Sequence, residues 1–183
     1  MSLRPVRIYG DPVLREKAKP VDAFDDSLRA LVADLFDTMK AYNGVGLAAN
    51  QVGVAQRVFV LDVPRESEPN DRLAIVNPVL SERSGREAGE EGCLSMPGIV
   101  EDVTRATHVR VQGFDEHGRP IDRVLEGYAA RAVQHETDHL DGVLFTDRLS
   151  PLKRQFLRGV LDALARGEVP EGYHPGSEGG RPV

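Results

Sequence analysis

The stretch His135-Glu136-Thr137-Asp138-His139 constrains this chain more than any other. It lies within Gly127–Asp141, which reads as a helix ended by Gly142. Helical residues four apart share a face and stand about 6 Å apart along the axis. His135 and His139 therefore present two imidazoles to one side, where they can bind one metal ion. Glu136 can reach a water on that ion and take its proton. The bland alternative is two histidines on an ordinary amphipathic helix. The chain has only five histidines, and two of them flank this glutamate.

Catalytic metal sites commonly use three protein ligands and keep a fourth position open, so a third ligand is required. The candidates are Cys93, Glu90, Glu91, Asp138, Asp141 and the remaining histidines. Cys93 is the single cysteine, which rules out an intramolecular disulfide and a stapled secreted scaffold. It stands in Glu91-Gly92-Cys93-Leu94-Ser95, where Gly92 lets the backbone approach closely. The other histidines have poorer contexts: His108 on a strand face, His117 in a turn and His174 in a terminal tail. The segment Gly44-Val45-Gly46-Leu47-Ala48-Ala49-Asn50-Gln51 also stands out, because small residues admit a ligand and Gln51 carries an amide donor. Its glycine spacing does not match a phosphate-binding loop, and read alone it is a tight loop against the first helix.

The elements around these motifs follow from periodicity. Leu28, Leu31, Val32, Leu35, Phe36 and Met39 recur at helical spacing and predict a helix over Asp26–Ala41, capped by Asp25 or Asp26, with Gly44 past its end. Arg57–Val63 and Leu73–Leu80 read as strands, the second bent or at an edge because of Pro78. Pro64–Arg72 and Ser81–Gly92 read as loops. Thr107–Phe114 alternates, and with Ile121–Leu125 it predicts a hairpin across Asp115–Gly118. Ser150-Pro151 starts a last helix that stops at Gly167. Helices and strands are segregated, which favours α+β. The 183 residues suit one domain over residues 1–167, with 168–183 expected to be a mobile tail rich in Gly, Pro and Glu.

With a formal net charge of -6, the chain as a whole is not a basic nucleic-acid binder, so no DNA partner is expected. No apolar run approaches a membrane span, and Met1–Leu14 lacks a signal-peptide core; a cytoplasmic protein without a membrane partner is expected.

Together, GVGLAANQ at 44–51, EGCLS at 91–95 and HETDH at 135–139 resemble the motifs of the peptide deformylase family, in that family's order. YGDPVLREKAKPV near the start and LSPLKRQ near the end also look like family segments, so the resemblance spans nearly all of the chain before the tail. Thr137 departs from the family pattern, which has an apolar residue there. The resemblance implies antiparallel sheets packed around a central helix that carries the metal-binding motif. It implies Cys93, His135 and His139 as metal ligands, Glu136 as general base and acid, and Gln51 with the Leu94 N–H as holders of the oxyanion. It further implies one divalent ion, ferrous iron with zinc or nickel as substitutes, whereas ligand chemistry alone suggests zinc first. The implied reaction is hydrolysis of the formyl group from formyl-methionine on nascent polypeptides, releasing formate.

Supporting roles are expected for Glu91, paired with Arg105, and for Asp138, hydrogen-bonded to a ligand histidine. Tyr128, Arg131 and Ala132, one and two turns before His135, are candidate walls of a methionine pocket, with Gly44, Val45 and Gly46 opposite. Lys153, Arg154, Arg158 and Arg166 make the last helix locally basic, which suggests docking on ribosomal RNA near the exit tunnel; a solvated face is the plain alternative. A zinc peptidase shares H-E-x-x-H but usually recruits a glutamate or a third histidine. A structural metal site would need a fourth ligand, for which no candidate is compelling, and an inactive homologue would be expected to lack motif residues that are all present here.

Overall fold

The computed structural model describes residues 2–63 and 72–173. The expected loop over 64–71 and tail over 174–183, His174 included, lie outside the described residues.

Helix α1 spans Asp26–Ala41, and the Asp25 carboxylate accepts from the Leu28 N–H at its start. Its inner stripe is Leu28, Leu31, Val32, Leu35, Thr38 and Met39. Phe36 is half-buried at the rim, beneath the Arg72 guanidinium. The left-handed residue after the helix is Asn43, one position before the expected Gly44.

Five strands form an antiparallel sheet in the order β1, β2, β3, β6, β7. They are β1 Gly46–Ala48, β2 Val58–Asp62, β3 Arg72–Ser84, β6 His108–Phe114 and β7 Pro120–Glu126. Strand β2 is buried on both faces, as its unbroken apolar run requires. Val58 and Val60 pack into the cluster that contains the inner stripe of α1. Phe59 and Leu61, on the opposite face, pack with Ala129, Ala130 and Val133 of α2, which spans Gly127–Leu140. The α1 helix thus covers one face of the β1–β2 region and α2 the other. The 0% exposure of Val109 and Val111 agrees with the alternation read in β6.

Pro78 marks an irregularity in β3: the register to β6 shifts between Val76 and Val79, and Asn77 adopts a φ of 52°. Both ends of the Asn77 amide bond the backbone of Val21, at 2.8 and 2.9 Å, which ties the N-terminal segment to the bulge.

Two expectations are corrected. The segment 81–92 is not one loop: β3 continues to Ser84, and β4 (Glu87–Gly92) pairs antiparallel with β5 (Val100–Arg105) in a separate ribbon. Its sequence EAGEEG has no strand periodicity because long-range partners hold it. The Arg131 guanidinium donates to the carbonyls of Glu87, Gly89 and Val103, and so ties the ribbon to α2. Likewise Gly46–Ala48 is not a loop but an edge strand opposite Phe59–Leu61.

A third cluster joins Cys93, Met96, Ile99 and Val103 to Phe145 and to Leu161 and Leu164 of α3, which spans Pro151–Ala165. Ser150 caps α3 and Pro151 begins it, as expected. Residues 168–173, assigned to the tail from composition, fold back: Tyr173 meets Tyr42 and donates to the Leu94 carbonyl. Among the described residues, no helix is long and apolar enough to cross a membrane.

Candidate metal centre

Helix α2 lies between the large sheet and the ribbon, so almost every side chain on it is buried, polar ones included. His135, Glu136 and His139 are 2%, 1% and 1% exposed. The i, i+4 spacing brings the His135 and His139 Nε2 atoms to 3.2 Å from one another. The turn that follows β4 delivers Cys93, whose Sγ lies 3.3 Å from His139 Nε2. All three donor atoms lie within 4.8 Å of one another, and among the described residues no other group of His, Cys, Asp and Glu converges in this way.

The remaining third-ligand candidates are engaged elsewhere. Asp141 pairs with Arg57 at 2.8 Å, Asp138 with Arg105 and Arg148, and Glu91 accepts from His135 rather than facing its Nε2. Glu90 is exposed. His108 and His117 stand beside Glu126 and Glu116 at 3.6 and 3.7 Å.

The donor set fits a divalent ion. Nitrogen and sulfur ligands at ordinary bond lengths around one tetrahedral ion stand roughly 3.3–3.6 Å apart, close to the 3.2 and 3.3 Å that separate His139 from His135 and Cys93. A carboxylate can only accept, so the 3.0 Å contact from His135 Nδ1 to Glu91 puts a proton on Nδ1 and turns Nε2 toward the centre. Burial pushes the Cys93 thiol up to about 12, against hydrogen bonds from Ser95. Burial, then His135, holds His139 well below its ordinary value, so its ring is neutral, as a ligand must be.

Glu91 anchors the arrangement at 0% exposure. Besides His135, it accepts a bidentate pair from Arg105 at 2.7 and 2.9 Å and a third guanidinium bond from Arg131 at 2.9 Å. Burial opposes its charge, but Arg105 and His135 outweigh that and hold its carboxyl well below the usual range. The expected Glu91–Arg105 pair is present. The histidine-supporting carboxylate, however, is Glu91 and not Asp138. Asp138 braces Arg105 and Arg148, at 2.6 Å from each.

Neither carboxylate oxygen of Glu136 has a hydrogen-bond partner among the described residues. Burial, then the charge of Glu91, raises its pKa well above the ordinary value. Such a group is poised to hold a proton, and a neighbouring cation would favour its ionised form. Space for it comes from Gly46, because a Cβ there would lie 2.3 Å from Glu136 Oε1. On the other side, Gln51 Oε1 accepts from the Ala48 N–H at 2.9 Å, which fixes the orientation of the amide. Its Nε2 therefore points to Cys93 Sγ and Ser95 Oγ, at 3.5 and 3.2 Å. The Leu94 N–H has no acceptor among the described residues.

The pocket candidates separate. Gly44 lies across from Leu94, whose Cδ1 is 3.0 Å from where a Gly44 Cβ would sit, and half-buried Val45 follows it. Tyr128 and Arg131 line a groove of about 240 Å³ with Glu87, Gly89 and Glu90. Ala132 is buried, like the metal-site residues that follow it on α2, and belongs to the cluster that includes Ala48 and Val133.

Motif reading missed Ser95, the Asn50 amide that donates to the His139 carbonyl, and Phe145, which stacks on His135 at 6.0 Å. Asn50 and Ser95 lie inside recognised motifs, which was a signal. Phe145 carried none.

Two imidazoles, one thiol and a buried, unpartnered carboxylate, set in an α+β frame, define a metal-dependent hydrolase. The profile of the polypeptide deformylase family matches residues 3–155. The chain is 48% identical over 166 residues to the peptide deformylase of Alkalilimnicola ehrlichii, covering 91% of this chain and 93% of that one. It is 49% identical over 168 residues to peptide deformylase 1 of Corynebacterium glutamicum, covering 90% and 98%. The crystal structure of peptide deformylase from Thermus thermophilus superposes with a TM-score of 0.84 at 45% identity, covering 91% of this chain and 99% of that one. The chain belongs to the polypeptide deformylase family. Its reaction is the family's: metal-dependent hydrolysis that removes the N-formyl group from nascent polypeptides.

Gly46→Ala is expected to leave metal content unchanged while displacing the Glu136 carboxyl. A misplacement of about 1 Å can cost about 10²-fold, so kcat should fall by one to two orders of magnitude. Steady-state kinetics with metal analysis checks this; an unchanged kcat would mean that Glu136 does not need the space.

Proposed function

We propose that Cys93, His135 and His139 hold the ion, ferrous iron in the cell with zinc or nickel as substitutes, and that Glu136, Gln51 and Leu94 carry the chemistry. The observation that carries this reading is the convergence of three donor atoms, at 3.2 and 3.3 Å, beside a buried carboxylate with no partner of its own. When bound, the ion polarises the formyl carbonyl and makes a water nucleophilic at neutral pH. The chain's own residues do the rest. Glu136 takes the proton of the attacking water and delivers it to the leaving amine, as a group with a raised pKa is suited to do. The Gln51 Nε2–H and the Leu94 N–H face the oxygen on which charge develops; one such donor is typically worth about 10²–10³ in kcat. A C–O bond forms at the formyl carbon, the C–N bond breaks, and formate and a free amino terminus leave.

Glu91, with Arg105 and Arg131 behind it, orients His135 and keeps its lone pair available. Gly44 and Val45, facing Leu94, form one wall of the methionine pocket, and Tyr128 and Arg131 border the adjoining groove beside Glu90. Gly46 acts there by making room for Glu136.

The direct experiment is formate release from formyl-Met-Ala-Ser by protein purified anaerobically with ferrous iron. The intact chain is expected to release formate. Glu136→Ala should keep its metal and lose activity, whereas Cys93→Ala should lose both. No formate from a correctly loaded protein would point to an inactive homologue or a different amide substrate.

The partner beyond the nascent peptide is proposed to be ribosomal RNA, through α3. Lys153 is paired with Glu101 at 2.7 Å and Arg158 stands 4.0 Å from Asp162, while the exposed Arg154 guanidinium has no ion pair among the described residues. Charge reversal at Lys153, Arg154 and Arg158 should weaken co-sedimentation with ribosomes, most strongly at low salt; undiminished binding would remove α3 from the contact.

A further inference from the structure

After α3 the chain returns to the metal centre. Pro170 packs against the turn that follows Cys93, with its Cγ 3.4 Å from where a Cβ on Gly98 would sit. Tyr173 is half-buried. Its hydroxyl donates to the Leu94 carbonyl, and its ring meets the Tyr42 ring at a centroid distance of 5.6 Å. Tyr42 lies just before Gly44–Gly46, the segment that stands across from Leu94 and Glu136. A single side chain from beyond the last helix thus touches both sides of the catalytic opening.

We propose that Tyr173 is a positioning residue for deformylation: by fixing the Leu94 carbonyl against Tyr42, it sets the direction of the Leu94 N–H. The inference rests on the reading of that N–H as an oxyanion donor. Each peptide unit is planar, so a pinned Leu94 carbonyl fixes the plane that leads into Ser95. The preceding plane, which carries the Leu94 N–H, is joined to it through one Cα. It is held on its other side by Cys93, whose carbonyl accepts from the Met96 N–H at 2.9 Å. With both ends restrained, the N–H has little freedom to turn from the reacting oxygen. Burial pushes the Tyr173 phenol further from ionisation, so it stays a donor. Donors prepositioned where charge develops are what this kind of catalysis requires.

A role confined to packing would survive loss of the hydroxyl, because the Tyr42 contact needs only the ring. Tyr173→Phe in the iron-loaded full chain separates the two. A hydrogen bond of ordinary net strength corresponds to about a three- to tenfold effect. The expected result is a fall in kcat of that size on formyl-Met-Ala-Ser, with KM and metal content unchanged. Tyr42→Ala, which removes the ring that backs Tyr173, should lower kcat in the same direction. An unchanged kcat in Tyr173→Phe would overturn the proposal, as would an effect confined to KM, which would make Tyr173 a substrate contact. Absence of formate from the unsubstituted protein would instead remove the underlying reading of the site, and the proposal with it.

Discussion

The buried carboxylate of Glu91, on β4, ties that strand to β5 and to helix α2. It accepts from His135 on α2, from Arg105 on β5 and from Arg131 one turn before the first histidine. A charge at 0% exposure is tolerable only when its lone pairs are satisfied, and removing one partner of such a group typically costs about 3–5 kcal/mol. The ribbon therefore has little freedom to shift against α2 without stranding a charge. Cys93 follows Glu91 by two residues, so the anchor that orients His135 also sets the position of the thiol. One ion-pair network thus serves both the fold and the metal geometry, with Asp138 extending it from Arg105 to Arg148 at the surface.

Around that network the core is built to leave one carboxylate unpartnered. Strand β2 is apolar on both faces, which lets α1 and α2 pack on opposite sides of the sheet and drives a polar helix into the interior. Leaving a carboxylate buried without a partner costs stability and is retained where it has work to do. Glu136 meets that description, and Gly46 supplies its space at the edge of the sheet.

Much of this was legible in the sequence, and the reasons differ from part to part. Helix α1 was legible because a regular apolar stripe and an Asp cap are local signals. The hairpin of β6 and β7 was visible for the same kind of reason, alternation around a turn. Strands β1 and β4 were not visible, since Gly-Leu-Ala and Glu-Ala-Gly-Glu-Glu-Gly have no strand pattern of their own and are held by pairing with the strand that follows each. Spacing alone put both histidines and Glu136 on one helix, and motif resemblance pointed to Cys93 and Gln51. Asp138, a neighbour in sequence, was expected to hydrogen-bond a ligand histidine, whereas the carboxylate found against His135 is Glu91, from another element. The return of Tyr173 to Leu94 left no trace in a Gly- and Pro-rich segment that composition marks as a tail.

The central claim is that one thiolate and two imidazoles of this chain hold a single ion and leave it open to a further ligand. X-ray absorption spectroscopy of the zinc-loaded protein tests it most directly. The account predicts one sulfur at about 2.3 Å and two imidazole nitrogens at about 2.0–2.1 Å, with the sulfur shell absent in Cys93→Ala. A first shell without sulfur, or one filled by four protein donors, would contradict it.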